Sequence, residues 1–403
     1  MTDDWPFLGP LGGLDRDAWD ALAGDRLYSS SRWLELCGAD PRNPAGAVHL
    51  RTADGRRIGV PVAAVTAEPN PFYRWQDELA VRGLPAPPAT GVLIGPHRGY
   101  QTHLLPTGTA LPDSAVATMV ARLTALPGQA ADAGLLGAEP PADPPCMAMF
   151  LTTADVLRLH QAGARTTPLL LKADAWIRVP QGGWPAWLES LPARRRELVR
   201  REVRQFDRAG YRIVDTTLAA CSETAARLLS LTEARYGHTT TPQQHAVSLG
   251  RQAAAMGESA RVLLCLRGDE PVGYCCYYLC GDVLYLRSAG FDHARAQGAA
   301  EYFNLVYYLP LRIAGQAGAT WVHAGIEATE AKALRGAELR PLWLLDLSEN
   351  SVLRDRDSEI RQCNAHSYAE LAGRSSAIAK ALRQPEDETP TWGWGCRTSA
   401  AAS

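Results

Sequence analysis

The pattern of apolar and polar positions is most regular in the second half of the chain, where helical and strand-like periods alternate. Helical spacing of apolar residues predicts helices over residues 184–209, 222–236 and 243–256, one from about Ala299, and a short one near Glu330. Apolar runs rich in β-branched and aromatic residues predict strands over residues 211–215, 261–266, 272–279, 283–289, 320–324 and 342–347. After the opening helix, the predicted order is β-α-α-β-β-β-α-β-α-β.

The first half has shorter periodic segments separated by proline-rich connections. Its predicted helices and strands are two short helices within residues 18–37, helices over 114–126 and 154–162, and strands over 49–51, 57–66, 91–95 and 147–150. Residues 168–179 cross into the second half. A chain of 403 residues exceeds the size of one ordinary hydrophobic core. We therefore predict a first domain over residues 1–165, a second over 166–350, and a C-terminal helix with a mobile tail over 351–403.

Composition is that of a globular protein, with 46% hydrophobic and 21% charged residues and no apolar run of membrane-spanning length. The acidic N-terminus lacks a secretion signal, so we expect a cytoplasmic protein. Because the net charge is −2, a nucleic-acid partner would need a local basic patch. The nine cysteines form no C-x-x-C pair, and no His/Cys cluster has zinc-ligand spacing, so we expect neither disulfides nor a metal.

One loop has the composition of an anion-binding site. It reads Arg-Ala-Gln-Gly-Ala-Ala over residues 295–300 and connects a predicted strand to a predicted helix. Its glycine allows close approach to the backbone, and N–H groups at the start of a helix attract negative charge. We predict that an acyl donor's phosphate binds here, through Arg295, Gln297, Gly298, Ala299 and Ala300. The alternative is an ordinary helix N-terminus with a solvated arginine.

The strand order, with an R-x-x-G-x-A loop after the fourth strand, resembles the GNAT acyltransferase fold over roughly residues 166–350. Two such units in tandem would resemble the Fem family, the peptidoglycan aminoacyltransferases that use aminoacyl-tRNA. The arginine-rich segment 191–196 and the lysine-plus-glycine segment 330–336 are similar to motifs of that family, although Ala331 replaces its usual tyrosine. The resemblance implies an α/β fold of two tandem GNAT-like domains, each a mixed, mostly antiparallel sheet flanked by helices, the first one degenerate.

Arginines recur along the predicted helix over residues 184–209. Arg196, Arg200 and Arg204 lie four residues apart and form one stripe, and Arg194, Arg195 and Arg201 widen it. In a Fem-like protein the stripe would hold tRNA phosphates, with salt-dependent affinity. The alternative is a solvated helix face, which the neighbouring acidic residues would favour.

The resemblance makes Lys332 the functional lysine, whose ammonium would neutralise a carboxylate or a developing oxyanion. Three candidates could remove the proton of an attacking ammonium: Glu327 and His323 at the end of one predicted strand, and Asp292 at the end of the previous one. The alternatives are an ion-paired surface lysine and ordinary polar residues at strand ends.

Two loops are candidates for contacts with the acceptor. Tyr236 and His238 close a predicted helix on the side that lines the acceptor in a GNAT-like fold. Arg98 and Tyr100 lie in a polar loop of the first half. The alternatives are a helix C-cap with an exposed histidine and a plain surface loop.

We expect an acyltransferase in which an acceptor amine attacks the donor carbonyl directly, because no G-x-S-x-G or cysteine–histidine motif is evident. Aminoacyl-tRNA is the preferred donor and acyl-CoA the alternative; no tightly bound cofactor is expected. The acceptor would be a small-molecule or peptide amine, as in peptidoglycan-type or specialised-metabolite substrates. A non-catalytic GNAT-fold binding protein is the second alternative. We expect no DNA partner, and the oligomeric state stays open.

Overall fold

The computed structural model describes residues 5–40, 42–106, 112–382 and 392–393. It divides into two compact units, unit 1 (residues 1–174 and 339–403) and unit 2 (residues 175–338). The helix predicted after residue 350 therefore belongs to unit 1, while most of the predicted tail lies outside the described residues. No helix in the described ranges combines the length and apolar character needed to cross a membrane.

Unit 1 opens with two helices whose first turns are closed by side chains, α1 (Arg16–Ala23) by Asp15 and α2 (Ser31–Gly38) by Ser30. In chain order there follow β1 (Ala45–Arg51), β2 (Arg57–Val65), α3 (Trp75–Ala80), β3 (Gly91–Ile94), β4 (Leu105–Pro106), α4 (Asp113–Asp132), β5 (Cys146–Thr152), α5 (Thr153–Gln161) and β6 (Leu169–Arg178).

Unit 2 follows β6, whose last four residues belong to it. Its helices and strands are α6 (Gly183–Ser190), α7 (Ala193–Arg208), β7 (Arg212–Thr217), α8 (Leu218–Ala234), α9 (Pro242–Met256), β8 (Arg261–Arg267), β9 (Glu270–Cys280), β10 (Val283–Phe291), α10 (Glu301–Phe303), α11 (Leu309–Gln316), β11 (Trp321–His323) and α12 (Thr329–Ala333). A π-helical turn over Asn304–Tyr308 joins α10 to α11. β12 (Ala337–Asp346) leads back to unit 1, which ends with α13 (Asp357–Gly373) and α14 (Ser376–Ala381).

The prediction of one helix over residues 184–209 is wrong, because the chain forms two helices there. Pro192 is the N-cap residue of α7, and Leu191 before it is extended, with ψ 148°. Proline supplies no N–H for a helix interior, and it disfavours helical backbone in the residue that precedes it. The arginine-rich helix therefore begins at Ala193.

The two units repeat one strand topology. In unit 1, β1, β2 and β3 pair antiparallel, and α4 leads to β5, which is parallel to β3 and antiparallel to β12. In unit 2, β8, β9 and β10 pair antiparallel, and the α10–α11 segment leads to β11, which is parallel to β10 and antiparallel to β6. The predicted α/β fold with mixed, mostly antiparallel strands and flanking helices is confirmed.

Large aromatic side chains fill the interior of both units. In unit 1, Trp19 packs with leucines of α1 and α2 in a cluster that includes Leu22 and Leu34. In unit 2, Tyr274 and Tyr278 of the central strand β9 are fully buried. Burying each such side chain contributes on the order of 2 kcal/mol, so Tyr274 and Tyr278 help to hold β9 in place beside β10.

Candidate functional site

β10 and β11 part after a short stretch of pairing. Three residue pairs join them, from Val283–Trp321 to Tyr285–His323. β10 then continues to Phe291 without β11 beside it, and this unpaired stretch of β10 is about 20 Å long. Its register against β9 shifts in the same stretch, between Leu286 and Ser288. Bulges of this kind redirect side chains and are common beside active sites, so the opening next to β10 is the candidate active site.

His323 ends the paired part of β11 and is fully buried. Its ring lies 4.8 Å from the ring of Trp176 and 5.3 Å from that of Tyr285, measured between centroids. Tyr285 is the last residue of β10 that pairs with β11. The predicted candidate base is thus enclosed by aromatic rings where the two strands part.

Lys332 is buried, with 5% of its surface exposed, and so is not the surface lysine of the alternative interpretation. Its Nζ donates a 3.0 Å hydrogen bond to the carbonyl oxygen of Gly325, just beyond β11. The same carbonyl accepts the N–H of Ala175 from β6 at 3.0 Å. A buried ammonium is costly unless its surroundings supply acceptors. The fold therefore holds the amino group of Lys332 at the end of β11.

The two predicted carboxylates occupy different surroundings. Glu327 is exposed and lies two residues beyond Gly325, on the same turn that leads to Lys332. Asp292 lies at the far end of β10, where its Oδ2 is 3.6 Å from Arg227 and 3.6 Å from Arg295. Of the four predicted catalytic residues, His323, Glu327 and Lys332 belong to one segment, whereas Asp292 is an ion-paired residue at the other end of the opening.

The predicted phosphate loop has internal partners for its main polar groups. Arg295 Nη1 lies 2.5 Å from the carboxylate of Glu270. The side-chain amide of Gln297 donates to the carbonyl of Ala209 at 3.2 Å. Gly298 has φ +73°, which glycine adopts without strain. Ala300 has φ 59° as the N-cap residue of α10, a conformation that is uncommon outside glycine and asparagine.

Glu301, which we did not single out from the sequence, provides the main internal partner. Its Oε1 accepts the backbone N–H of Gln297 at 2.8 Å and the hydroxyl of Tyr211 at 2.6 Å. Burial raises the pKa of Glu301, but Tyr211 and the N–H groups of residues 297, 299 and 301 outweigh burial, and its pKa lies below the ordinary value. A carboxylate thus sits where the sequence predicts an external anion.

A second buried charge cluster links the elements around the opening. Arg335, just beyond α12, is 4% exposed, and its Nη2 lies 3.4 Å from Glu202 of α7. The guanidinium stands 3.7 Å from the ring centroid of Phe303, in the range of a cation–π contact. Tyr308 of the π-helical turn donates its hydroxyl to the same Glu202 carboxylate. The sequence held one signal for this cluster, because Glu202 lies on the same face of α7 as the apolar residue Val199.

The arginines of α7 fall into two sets. The predicted stripe is ion-paired, since Arg196 and Arg200 contact Glu189 and Arg204 contacts Glu197 at 2.9 Å. The other set lines a groove of about 730 Å³ along α7, together with Glu197 and Leu198: Arg194, Arg195 and Arg201. Among the residues that the structure describes, no acidic side chain lies within ion-pair distance of these three arginines.

The predicted acceptor residues are placed as follows. Tyr236 is 78% exposed, and the N–H of His238 returns to the carbonyl of Glu233 across Gly237, which is the C-cap geometry of the alternative interpretation. In unit 1, Arg98 pairs with Asp40 at 3.1 Å. The ring of Tyr100 packs edge-on against Tyr28, 5.6 Å away. Whether any of the four touches an acceptor stays a prediction.

Three buried cysteines of unit 2 are poorly suited to act as nucleophiles. Burial raises the pKa of Cys221 to about 11, and burial raises the pKa values of Cys265 and Cys276 to about 12. The thiolate is the reactive form of cysteine, so these side chains are neutral near pH 7. Within the described ranges, no group of three or more His, Cys, Asp or Glu residues could hold a metal ion.

Residues 193–333 match the family model of the acetyltransferase (GNAT) domain. No curated protein matches the chain. Among solved structures, FemX is similar with a TM-score of 0.57 and 11% identity, over 84% of this chain and 96% of that one. The C-terminal domain of a putative lysylphosphatidylglycerol synthetase from Agrobacterium fabrum has a TM-score of 0.50 and 10% identity, over 86% and 95%.

A conserved protein of unknown function from Bacteroides thetaiotaomicron is also similar, with a TM-score of 0.51 and 11% identity, over 83% of this chain and 97% of that one. At identities this low, these likenesses concern the fold. They extend over most of the chain, whereas the family match covers one segment of it.

Proposed function

We propose that this chain, whose residues 193–333 match the acetyltransferase (GNAT) domain model, is an acyltransferase that transfers an aminoacyl group from aminoacyl-tRNA to an amine. The groove along α7 is the observation that favours aminoacyl-tRNA over acyl-CoA as the donor. Arg194, Arg195 and Arg201 line it, and among the described residues no acidic side chain lies within ion-pair distance of them. Arginines of this kind bind phosphates through charge and directed N–H groups. A chain with net charge −2 needs such a local patch to bind tRNA.

In the proposed reaction, the neutral acceptor nitrogen attacks the ester carbonyl carbon that joins the amino acid to tRNA. The new C–N bond forms, the ester C–O bond breaks, and the proton of the amine passes to a base and then to the leaving tRNA oxygen. Direct attack agrees with the neutral cysteines of unit 2. Amide formation of this kind is helped chiefly by positioning and by charge near the developing oxyanion.

Lys332 is the proposed source of that charge. Its ammonium is buried at the end of β11 and reaches the Gly325 carbonyl. A fixed positive charge in a water-poor site stabilises a developing oxyanion more strongly than a solvated one. Glu327 is the better placed of the two carboxylate bases, because Asp292 is ion-paired with two arginines whereas Glu327 is exposed on the same turn as Lys332.

The test of the donor site compares two triple variants of α7 that change net charge equally. We expect Arg194→Ala/Arg195→Ala/Arg201→Ala to weaken binding of fluorescein-labelled bulk tRNA and to reduce its salt dependence, because about 0.7–0.9 of a counterion is released per phosphate contact. The matched control is Arg196→Ala/Arg200→Ala/Arg204→Ala, whose arginines already contact Glu189 and Glu197. Fluorescence anisotropy titrations over a range of salt concentrations measure both.

If the first triple variant binds tRNA with the wild-type affinity and salt slope, the groove is not the donor site. An equal loss in both variants would mean that tRNA responds to the charge of the whole helix and would contradict a dedicated groove.

A further inference from the structure

The loop over residues 295–300 is the place where a GNAT-like protein would be expected to seat the phosphates of a donor, yet its polar groups have partners within the protein. Arg295 contacts the carboxylates of Glu270 and Asp292. The amide of Gln297 contacts the carbonyl of Ala209. An incoming pyrophosphate would have to displace these groups to gain the same contacts.

Glu301 is the main occupant of the loop because its carboxylate accepts the backbone N–H of Gln297 and is also hydrogen-bonded by the N–H groups of residues 299 and 301. These backbone donors are fixed in place and cannot turn away as a side chain can. Its carboxylate accepts the N–H of Gln297 at 2.8 Å and is held from the other side by the Tyr211 hydroxyl at 2.6 Å. Glu301 is 7% exposed, so it is a built part of the fold. Ala300, the residue before Glu301, has a left-handed backbone conformation with φ 59° at the start of α10.

We propose that Glu301 determines donor specificity, because its carboxylate occupies the N–H groups of the loop and thereby excludes the pyrophosphate of coenzyme A. This inference deepens the proposed function, since it concerns the donor of the same reaction. Two negative groups competing for one set of N–H donors repel each other, and burial weakens the screening of that repulsion. A donor that carries its phosphates elsewhere, such as aminoacyl-tRNA on α7, does not meet Glu301.

The experiment measures binding of coenzyme A, and of pantetheine as a probe without phosphates, by isothermal titration calorimetry on the full chain. We expect wild-type protein to bind neither measurably in the micromolar range. We expect Glu301→Ala to bind coenzyme A measurably, at least about tenfold more tightly than the weakest affinity that the titration of the wild type excludes, which is about 1.4 kcal/mol. Pantetheine binding stays unchanged. Glu301→Gln keeps the shape of the side chain without its charge, so it reports the charge effect if the alanine variant folds poorly.

The matched control is Glu270→Ala, which removes the carboxylate partner of Arg295 but leaves the N–H groups occupied. We expect no gain in coenzyme A binding. An equal gain for Glu270→Ala would overturn the proposal, as would micromolar binding to wild type or an absence of gain in a folded Glu301→Gln protein. These titrations contain no tRNA, so their results do not depend on aminoacyl transfer. If a separate assay showed no aminoacyl transfer, the proposed function would fail, but the effect of Glu301 on coenzyme A binding would still be measured.

Discussion

Lys332 and Glu301 are both buried ionisable residues of unit 2. We infer the role of each from the groups to which it is hydrogen-bonded. Lys332 donates to the backbone carbonyl of Gly325, just beyond β11. Glu301 is surrounded by donors and is itself the anion of the loop that we predicted to bind phosphate. At the scale of single residues, we therefore assign Lys332 to the reaction and Glu301 to the exclusion of one donor.

Replacing Lys332 tests its proposed role in stabilising the oxyanion. We expect Lys332→Ala to lower the rate of aminoacyl transfer by roughly 10²–10³-fold, in the range seen when one oxyanion donor is removed. The effect should fall mainly on kcat, because the charge develops in the transition state. Single-turnover transfer from a radiolabelled aminoacyl-tRNA pool measures it.

The control for this experiment is Lys380→Ala, which removes an exposed lysine from α14. Its activity should equal that of the wild type. A fully active Lys332→Ala protein would contradict the assignment of Lys332 to the reaction.

Sequence reasoning located Lys332 but not its burial, and it missed Glu301 altogether. A glutamate in the first turn of a helix is ordinary, because it suits the helix dipole. Its actual position depends on the left-handed backbone of Ala300 and on Tyr211, which is 90 residues away in the sequence. Contacts of that range follow from the tertiary fold and are not encoded in local spacing.

At the scale of elements, Glu202 ties α7 to the π-helical turn and to the segment after α12. It contacts Arg335 and accepts the hydroxyl of Tyr308. Both ends of the ion pair are largely buried, with side-chain exposures of 4% for Arg335 and 10% for Glu202. π-helical turns of this kind are frequent at functional sites. The pair therefore positions the helix that follows the loop over residues 295–300.

Removing one partner of this pair should be costly. We expect Glu202→Ala to lower the free energy of unfolding by about 3–5 kcal/mol, because it leaves the buried guanidinium of Arg335 without its carboxylate. The midpoint of urea denaturation, followed by circular dichroism, measures the loss. The control on the same helix is Glu197→Ala, whose exposed pair with Arg204 is screened by water and should change the midpoint little. Equal midpoints for the two variants would contradict the role of Glu202.

The elements themselves were largely predictable, since β8, β9, β10 and the helices α8 and α9 lie close to their predicted ranges. Two features were not. The break at Pro192 divides the predicted long helix, although proline was a local signal for it. The parting of β10 from β11 depends on the pairing of β11 with β6, a partner nearly 150 residues earlier in the chain.

At the scale of the whole molecule, the repeated strand topology of the two units agrees with the tandem arrangement expected from the Fem resemblance. The family match begins at residue 193, yet β11 pairs with β6, which ends at Arg178. The strand order was readable from sequence, whereas the return of the chain to unit 1 through β12 was not. The strand that ends at His323 is therefore paired with residues outside the matched domain.

Aminoacyl-tRNA is the donor that we propose, and acyl-CoA is the donor that we propose to be excluded. The most direct measurement offers the purified full chain two donors in parallel, a radiolabelled aminoacyl-tRNA pool and radiolabelled acetyl-CoA, with a mixture of peptide and small-molecule amines as acceptors. We predict an amide product from the tRNA pool that RNase treatment abolishes, and none from acetyl-CoA. Efficient, RNase-resistant transfer from acetyl-CoA alone would contradict the account.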